Sequence, residues 1–350
     1  MRIRLLDFLC CPLCRSSLKV TPFEFDRNGH VTNGLLGCSC GAEFPIIKSI
    51  PRILPSDLRS QHFLLHQEYQ ERFGQRLKPE SAVPPTMMTR QKLRTQASFG
   101  YEWTKFSKYS AENFSAFIRP LERVVFTNKL GLDVGCGAGR HVQQATSLGA
   151  EIIGLDLSNS IDVAYDLNQN NTAAHFIQGD VFHLPFRQNL FDFIYSLGVL
   201  HHLLSPEDGF RQLIPHLKPG GSIFIWVYQR TFRKEVLESI RRITTHLPLG
   251  LLMVLAWLAA VVDYGAIVNL YRALRRFPVV VDWAPLRIKE YASYNFYTSY
   301  ADWFDRLSAP ISHCYTEMEI RGWFLSAGLT EVETALVGDS WVWAKGQRGT

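Results

Sequence analysis

The run Leu132-Asp133-Val134-Gly135-Cys136-Gly137-Ala138-Gly139-Arg140 has the residue types of a loop that holds a ligand against main chain. Glycines there permit a sharp turn and a close approach of backbone to ligand. An apolar, strand-like run precedes the loop and a helix-like stretch follows it, the context in which such a loop gains meaning. Spacing narrows the ligand. A dinucleotide-binding loop would carry its third glycine at Arg140, whereas here it falls at Gly139. No Lys-Ser/Thr pair follows, which excludes a P-loop. Asp156 and Asp180 end the next two apolar runs. A carboxylate in the first position can accept both hydroxyls of a ribose, and one in the second can meet an adenine edge. The loop and the two acids together describe a nucleoside site on the carboxyl edge of a sheet. The plainer alternative is turn glycines and solvated strand-end acids.

The chain has seven cysteines, and their spacing matters more than their number. Cys10, Cys11, Cys14, Cys38 and Cys40 crowd the first segment, while Cys136 and Cys314 stand alone. An odd count with close pairs suits metal ligation in a reducing compartment better than a disulfide framework. A metal-free knuckle of buried thiols is the alternative.

These groups need a scaffold, and the apolar pattern supplies one. Strand-length runs begin at Lys129, Glu151, His175, Phe191 and Gly221, separated by helix-like stretches. Mostly continuous rather than alternating apolar runs predict strands covered on both faces, hence an α/β fold with a doubly wound parallel sheet. A helix is expected over 316–327, then strands over 329–337 and 340–345. The Gly338-Asp339 turn between them makes the last strand antiparallel. Residues 1–56 read as a small N-terminal module and 57–118 as a connector with a few helices, broken most clearly at Pro84-Pro85. Residues 119–350 read as the main domain. Within it, 229–312 departs from the short connections of an α/β unit and reads as a helical lid. Arg233 to His246 forms a basic amphipathic helix and Leu247–Val262 an apolar one, followed by aromatics from Tyr291 to Phe304.

Composition bounds the rest. At 350 residues, 47% hydrophobic and 20% charged, the chain can bury a sizeable core. The formal charge of +5 falls to +3 if four cysteines hold zinc as thiolates, too little to argue for nucleic acid. Asp7 interrupts the N-terminal apolar run, so it does not read as a signal peptide. Leu247–Val262 falls short of the ~20 residues of a membrane span. The expectation is a cytoplasmic protein with one stretch able to touch a membrane.

The stretch from Leu130 to Val227 resembles class I S-adenosylmethionine-dependent methyltransferases. The matches are Asp-Val-Gly-Cys-Gly-Ala-Gly-Arg (133–140), Gly-Leu-Asp-Leu-Ser (154–158) and Gly-Asp-Val (179–181). They continue through Leu-Pro-Phe (184–186), Phe-Asp-Phe-Ile-Tyr-Ser (191–196), Val-Leu-His-His-Leu (199–203) and Leu-Lys-Pro-Gly-Gly (217–221). The resemblance implies a Rossmann-like methyltransferase with S-adenosyl-L-methionine as cofactor. Asp133, Gly135, Cys136, Gly137 and Gly139 would line its methionine end, and Asp156 with Leu157 its ribose. Asp180 and Val181 would meet the adenine, with Ser196 and Leu197 near the sulfonium. The run Gln96-Ala-Ser-Phe-Gly-Tyr-Glu-Trp103 resembles the segment before the core in fused members, and would cap the cofactor with an aromatic.

The N-terminal segment resembles the small zinc-ribbon proteins that activate RNA and protein methyltransferases, also found fused to bacterial methyltransferases. Leu5-Leu-Asp-Phe-Leu-Cys-Cys-Pro-Leu-Cys14, Cys38-Ser-Cys-Gly41 and Phe44-Pro-Ile-Ile-Lys-Ser-Ile-Pro51 carry that likeness. It implies a structural Zn2+ held by Cys11, Cys14, Cys38 and Cys40, with no open position. The second pair has one intervening residue where two are commoner.

A sulfonium methyl is already activated, so such an enzyme chiefly aligns a nucleophile and excludes water. His201 or His202 could take the acceptor's proton; otherwise one packs and the other bonds backbone. Tyr228 is a further lining candidate. The greasy lid suits a small apolar or lipid-linked acceptor met at a membrane surface. The rivals are an RNA methyltransferase reading RNA with its zinc ribbon, and a cofactor-binding scaffold without turnover. Against RNA stands Ser196-Leu-Gly-Val in place of an Asn/Asp-Pro-Pro-aromatic signature.

Overall fold

The computed structural model describes residues 1–349 except 64–66, 77–85, 107–117, 119–120, 122–124, 280–283 and 339. The break read at Pro84-Pro85, much of the connector, part of the lid and Asp339 of the last hairpin therefore lie outside the described residues.

Strands β5 (Leu130–Val134), β6 (Glu151–Asp156), β7 (Ala174–Gly179), β8 (Phe191–Leu197) and β9 (Leu217–Tyr228) form the central sheet. They run parallel in the order β7-β6-β5-β8-β9. Every residue of β7 is buried, as a strand covered on both faces requires. After the helix Glu317–Ser326, strands β10 (Leu329–Val337) and β11 (Trp341–Arg348) close the chain. β11 pairs antiparallel with both β9 and β10. Strands therefore start within a few residues of the expected positions, and the doubly wound fold with its antiparallel last strand is present.

The N-terminal residues, read as a small module, form strands of their own that join the central sheet. β1 (Leu18–Phe25), β2 (Val31–Cys38), β3 (Glu43–Ile47) and β4 (Ile50–Ile53) form an antiparallel meander, and β4 then pairs parallel with β7. One sheet of eleven strands results. Its continuity is a matter of backbone: β7 would otherwise be an edge with unpaired amides and carbonyls, and Arg52 and Ile53 pair with Gln178 and Gly179. Further main-chain ties fix the module, among them the Cys10 amide donating to the Pro185 carbonyl at 2.8 Å. The β3–β4 hairpin turns on Lys48 and Ser49, both at positive φ (51° and 67°).

The insertion after β9 is helical: Phe232–Thr244, Leu249–Ala260, a π-helical stretch Val261–Val268, Asn269–Leu274, Leu286–Tyr291 and Phe296–Ser308. The apolar helix does not stop at Val262. It continues through Leu274, 26 residues in all, long and apolar enough to cross a membrane by length and composition. The sequence reading ended it at Asp263, whose charge interrupts the run; in the fold that carboxylate is buried and accepts from Trp303 Nε1 at 2.9 Å, so the helix passes through it.

Candidate functional site

A cleft opens where the carboxyl ends of β5, β6, β8 and β9 meet the Met87–Lys105 helix and the Phe296–Ser308 helix. β5 lies between β6 and β8, the point where strand order reverses and ligand crevices form in such sheets.

The glycine loop forms its first wall. The amides of Gly135 and Cys136 both donate to the Leu155 carbonyl, folding the loop back over β6. Gly135 and Gly137 adopt φ of 77° and 53°, which side-chained residues rarely adopt. A Cβ on Gly135 would come within 2.4 Å of Val199, and one on Gly137 would lie 3.3 Å from Trp103. The glycines thus keep main chain open to the cleft. Gly139 serves packing instead, since its absent side chain makes room for Ala164 and Asn168 behind the loop.

Asp156 lies at the tip of β6 beside this loop and lines the cleft. Its Oδ2 accepts from the Gly137 amide at 2.8 Å, and its Oδ1 from the amide and hydroxyl of Ser158, each at 2.7 Å. Burial raises its pKa, against the pull of those Ser158 bonds. Leu157, Leu197 and Cys136 line the same half of the cleft. An oriented carboxylate beside two side-chain-free glycines leaves room for the sugar and the close backbone approach of a nucleoside cofactor.

Other expected residues fall behind the cleft wall. Asp133 is buried under the loop, and burial pushes its carboxyl up to about 8. The Ser196 hydroxyl is buried and donates to the Val134 carbonyl at 3.1 Å. Asp180 and Val181 are buried and do not line the cleft. The Asp180 carboxylate instead holds Lys92 Nζ at 2.6 Å and the Phe182 amide at 3.1 Å. Despite burial, His183 and Lys92 keep its pKa low.

The two histidines take different places. His201 is fully buried, its ring 3.9 Å from Tyr228 and 4.1 Å from His202, and burial holds its pKa well down. His202 lines the cleft, and its Nδ1 lies 2.6 Å from the Ile311 carbonyl. A carbonyl only accepts, so Nδ1 carries the hydrogen and Nε2 keeps its lone pair. Burial lowers the pKa of His202 to about 4, which leaves it neutral at physiological pH and a weaker base than a solvated imidazole. Tyr228 also lines the cleft and donates its hydroxyl to Asp305 Oδ2 at 2.8 Å.

Three acids on this side escaped the sequence reading. Glu102, Asp302 and Asp305 line the cleft. Glu102 Oε2 is buried with no hydrogen-bond partner, and burial with the nearby Asp305 charge drives its pKa well above the ordinary value. Glu102 lies inside the Gln96–Trp103 run, between aromatics, where no local pattern marks it. Phe99 and Trp103 of that run do reach the cleft, Phe99 at 4.8 Å from the His202 ring. Asp302 and Asp305 lie among the aromatics of the Phe296–Ser308 helix, where no local pattern marks them.

At the N-terminus, Cys11, Cys14, Cys38 and Cys40 converge with all four sulfurs within 4.8 Å of one another. The Cys11–Cys40 and Cys14–Cys38 separations are 3.8 and 3.3 Å. Sulfurs bonded tetrahedrally to zinc at about 2.3 Å stand ~3.8 Å apart, so the donor set and spacing fit that ion. Cys10, by contrast, is buried away from the cluster.

Comparison with known proteins bears on the cleft directly. Residues 132–225, the stretch that builds it from β5 to β9, match the methyltransferase domain family. The stretch that builds the cleft is therefore similar to a methyltransferase domain. Over 113 residues the chain is 30% identical to sterol 24-C-methyltransferase of Schizosaccharomyces pombe, covering 30% of each protein. Over 128 residues it is 32% identical to tRNA U34 carboxymethyltransferase of Pseudoalteromonas atlantica, covering 35% of this chain and 37% of that one. The chain thus spans about a third of the length of these relatives. Among solved structures, human N-acetylserotonin methyltransferase with its bound S-adenosylmethionine superposes with a TM-score of 0.45 at 16% identity, over 84% of this chain and 67% of that one.

Proposed function

We propose that this protein transfers a methyl group from S-adenosylmethionine to a small acceptor seated between the lid and the Met87–Lys105 helix. The observation that carries this reading is the pairing of Asp156 with the open Gly135–Gly137 main chain, within the stretch that matches the methyltransferase domain family. When bound, the cofactor supplies an activated sulfonium methyl. The protein's own residues do the remainder. Asp156 holds the ribose, and Phe99, Trp103 and Trp341 exclude water from the cleft. His202, fixed by Ile311, accepts a proton from the acceptor at Nε2. Glu102 and Asp305 each keep an unpartnered buried oxygen at the cleft, which suits an acceptor with an apolar body and a polar, proton-bearing head. The four-cysteine cluster holds a structural zinc, on the strength of its spacing.

A nucleic-acid acceptor is the second reading, favoured by the likeness to a tRNA carboxymethyltransferase. Titration calorimetry with S-adenosylmethionine tests the first. The intact protein should bind with micromolar affinity and Asp156→Ala should not. Absence of binding by the intact protein overturns the enzyme reading. Binding of tRNA with a steep salt dependence would move the acceptor to the second reading.

A further inference from the structure

A helix of a water-soluble domain ordinarily buries one apolar stripe and presents polar residues elsewhere. The Leu249–Leu274 helix does only the first. Leu252, Ala256 and Ala260, four residues apart, form a buried stripe, and Ala256 and Leu252 pack with Ala301 and Phe304 of the Phe296–Ser308 helix. Two residues further along, on the opposite face, Val254, Leu258 and Val262 are 54, 50 and 63% exposed. The Phe232–Thr244 helix, which packs on the same Phe296–Ser308 helix, adds Phe232 and Ile243, both exposed above 70%. Residues 232–279 are a seventh of the chain. They carry fourteen of the twenty-three large hydrophobic side chains exposed among the described residues. Chance scatter of surface apolar residues does not concentrate them in this way.

Charge indicates what covers the patch. The same residues contain seven lysines and arginines against three acids, and no charge at all from His246 to Val262. The exposed cations lie at its two ends, Arg242 before the apolar stretch and Arg275 and Arg276 after it. An apolar face flanked by arginines complements a surface with an apolar interior and anionic headgroups. We infer that the 232–279 face docks on an anionic lipid bilayer, with the Leu249–Leu274 helix lying flat in the interface.

The helix is long enough to span, yet its own polar anchors hold it down. The buried Asp263 accepts from Trp303. Arg272 donates to the carbonyls of Ala292 and Tyr294 at 2.9 and 2.7 Å and to the Tyr264 hydroxyl at 2.8 Å. Standing the helix upright in a bilayer would break these bonds and carry an acid and an arginine into hydrocarbon. Lying flat keeps all of them, and ~39 Å of helix contributes its outer face to the interface. This docking does not depend on the methyl-transfer reading.

Vesicle flotation with the full chain tests it, using phosphatidylcholine vesicles with and without phosphatidylserine. The protein should float with the anionic vesicles and be released by alkaline carbonate. The double substitution Leu258→Asp/Val262→Asp, at exposed positions that leave thermal unfolding unchanged, should weaken partition by roughly tenfold or more, as should Arg275→Glu/Arg276→Glu. Recovery in the soluble fraction with both vesicle types overturns the inference. So does retention after carbonate, which would mean a spanning helix. A concentration-dependent dimer in sedimentation, abolished by Leu258→Asp/Val262→Asp without any flotation, would assign the face to a second copy instead.

Discussion

Arg52 on β4 and Asp162 in the first turn of the helix after β6 form a two-pronged ion pair, with Nη2–Oδ1 at 2.6 Å and Nη1–Oδ2 at 3.1 Å. The Arg52 side chain is fully buried and also donates to Gln178 Oε1 at 2.9 Å. It therefore joins the cysteine-bearing strands to the helix that follows Asp156. Arg52→Met leaves Asp162 partly buried without its cation and should cost about 3–5 kcal/mol in urea unfolding. Asp162→Asn should cost at least as much, because it leaves the fully buried guanidinium without its counter-charge, whereas 26% of the Asp162 side chain reaches water. If the pair is the link, adding Asp162→Asn to Arg52→Met should cost little more. Fully additive losses would show that the two side chains act separately.

The cysteine cluster makes a prediction about metal. Protein purified without chelator should contain one zinc per chain by elemental analysis, and Cys14→Ser should lower that content. Because Cys11 and Cys38 flank the strands that continue into the main sheet, chelation should lower the melting temperature of the whole chain rather than melt the N-terminal segment alone. Zinc-free protein with an unchanged melting temperature would return the cluster to a knuckle of plain thiols.

His202 gives the protein a pH dependence whose sign can be worked out. Its folded pKa of about 4 lies below the ordinary 6.5. Between those values the unfolded chain binds a proton that the folded chain refuses, so stability falls as pH is lowered through this window and is fully present above it. The contribution lost by pH 4 is about 2–3 kcal/mol. Urea midpoints measured from pH 7 down to pH 4 should fall more steeply in the intact protein than in His202→Gln. Equal slopes would mean that His202 is as free to protonate as it is in the unfolded chain. On the same account, His202→Gln should lower kcat with S-adenosylmethionine and acceptor while leaving cofactor binding intact.

The sequence by itself determined the strands of the central sheet, the glycine loop and Asp156, because these depend on local rules. Continuous apolar runs mark strands buried on both faces, and glycines mark backbone at positive φ, as at Gly135 and Gly137. The resemblance to zinc-ribbon proteins named the four cysteines that converge, Cys11, Cys14, Cys38 and Cys40. What lies across the cleft from the strand ends was decided only by the tertiary structure. Glu102, Asp302 and Asp305 come from helices far apart in the chain, and no local pattern distinguishes an acid facing a cleft from one facing water. The same holds for His201 and His202, adjacent in sequence yet separated into a packed ring and a cleft-lining ring held by the Ile311 carbonyl. Lys92 reaching Asp180, and β4 completing the edge of β7, likewise depend on pairings between distant segments. Such long-range contacts follow from how buried surfaces fit together and how unpaired backbone groups find partners, and neither is written in the spacing of neighbouring residues.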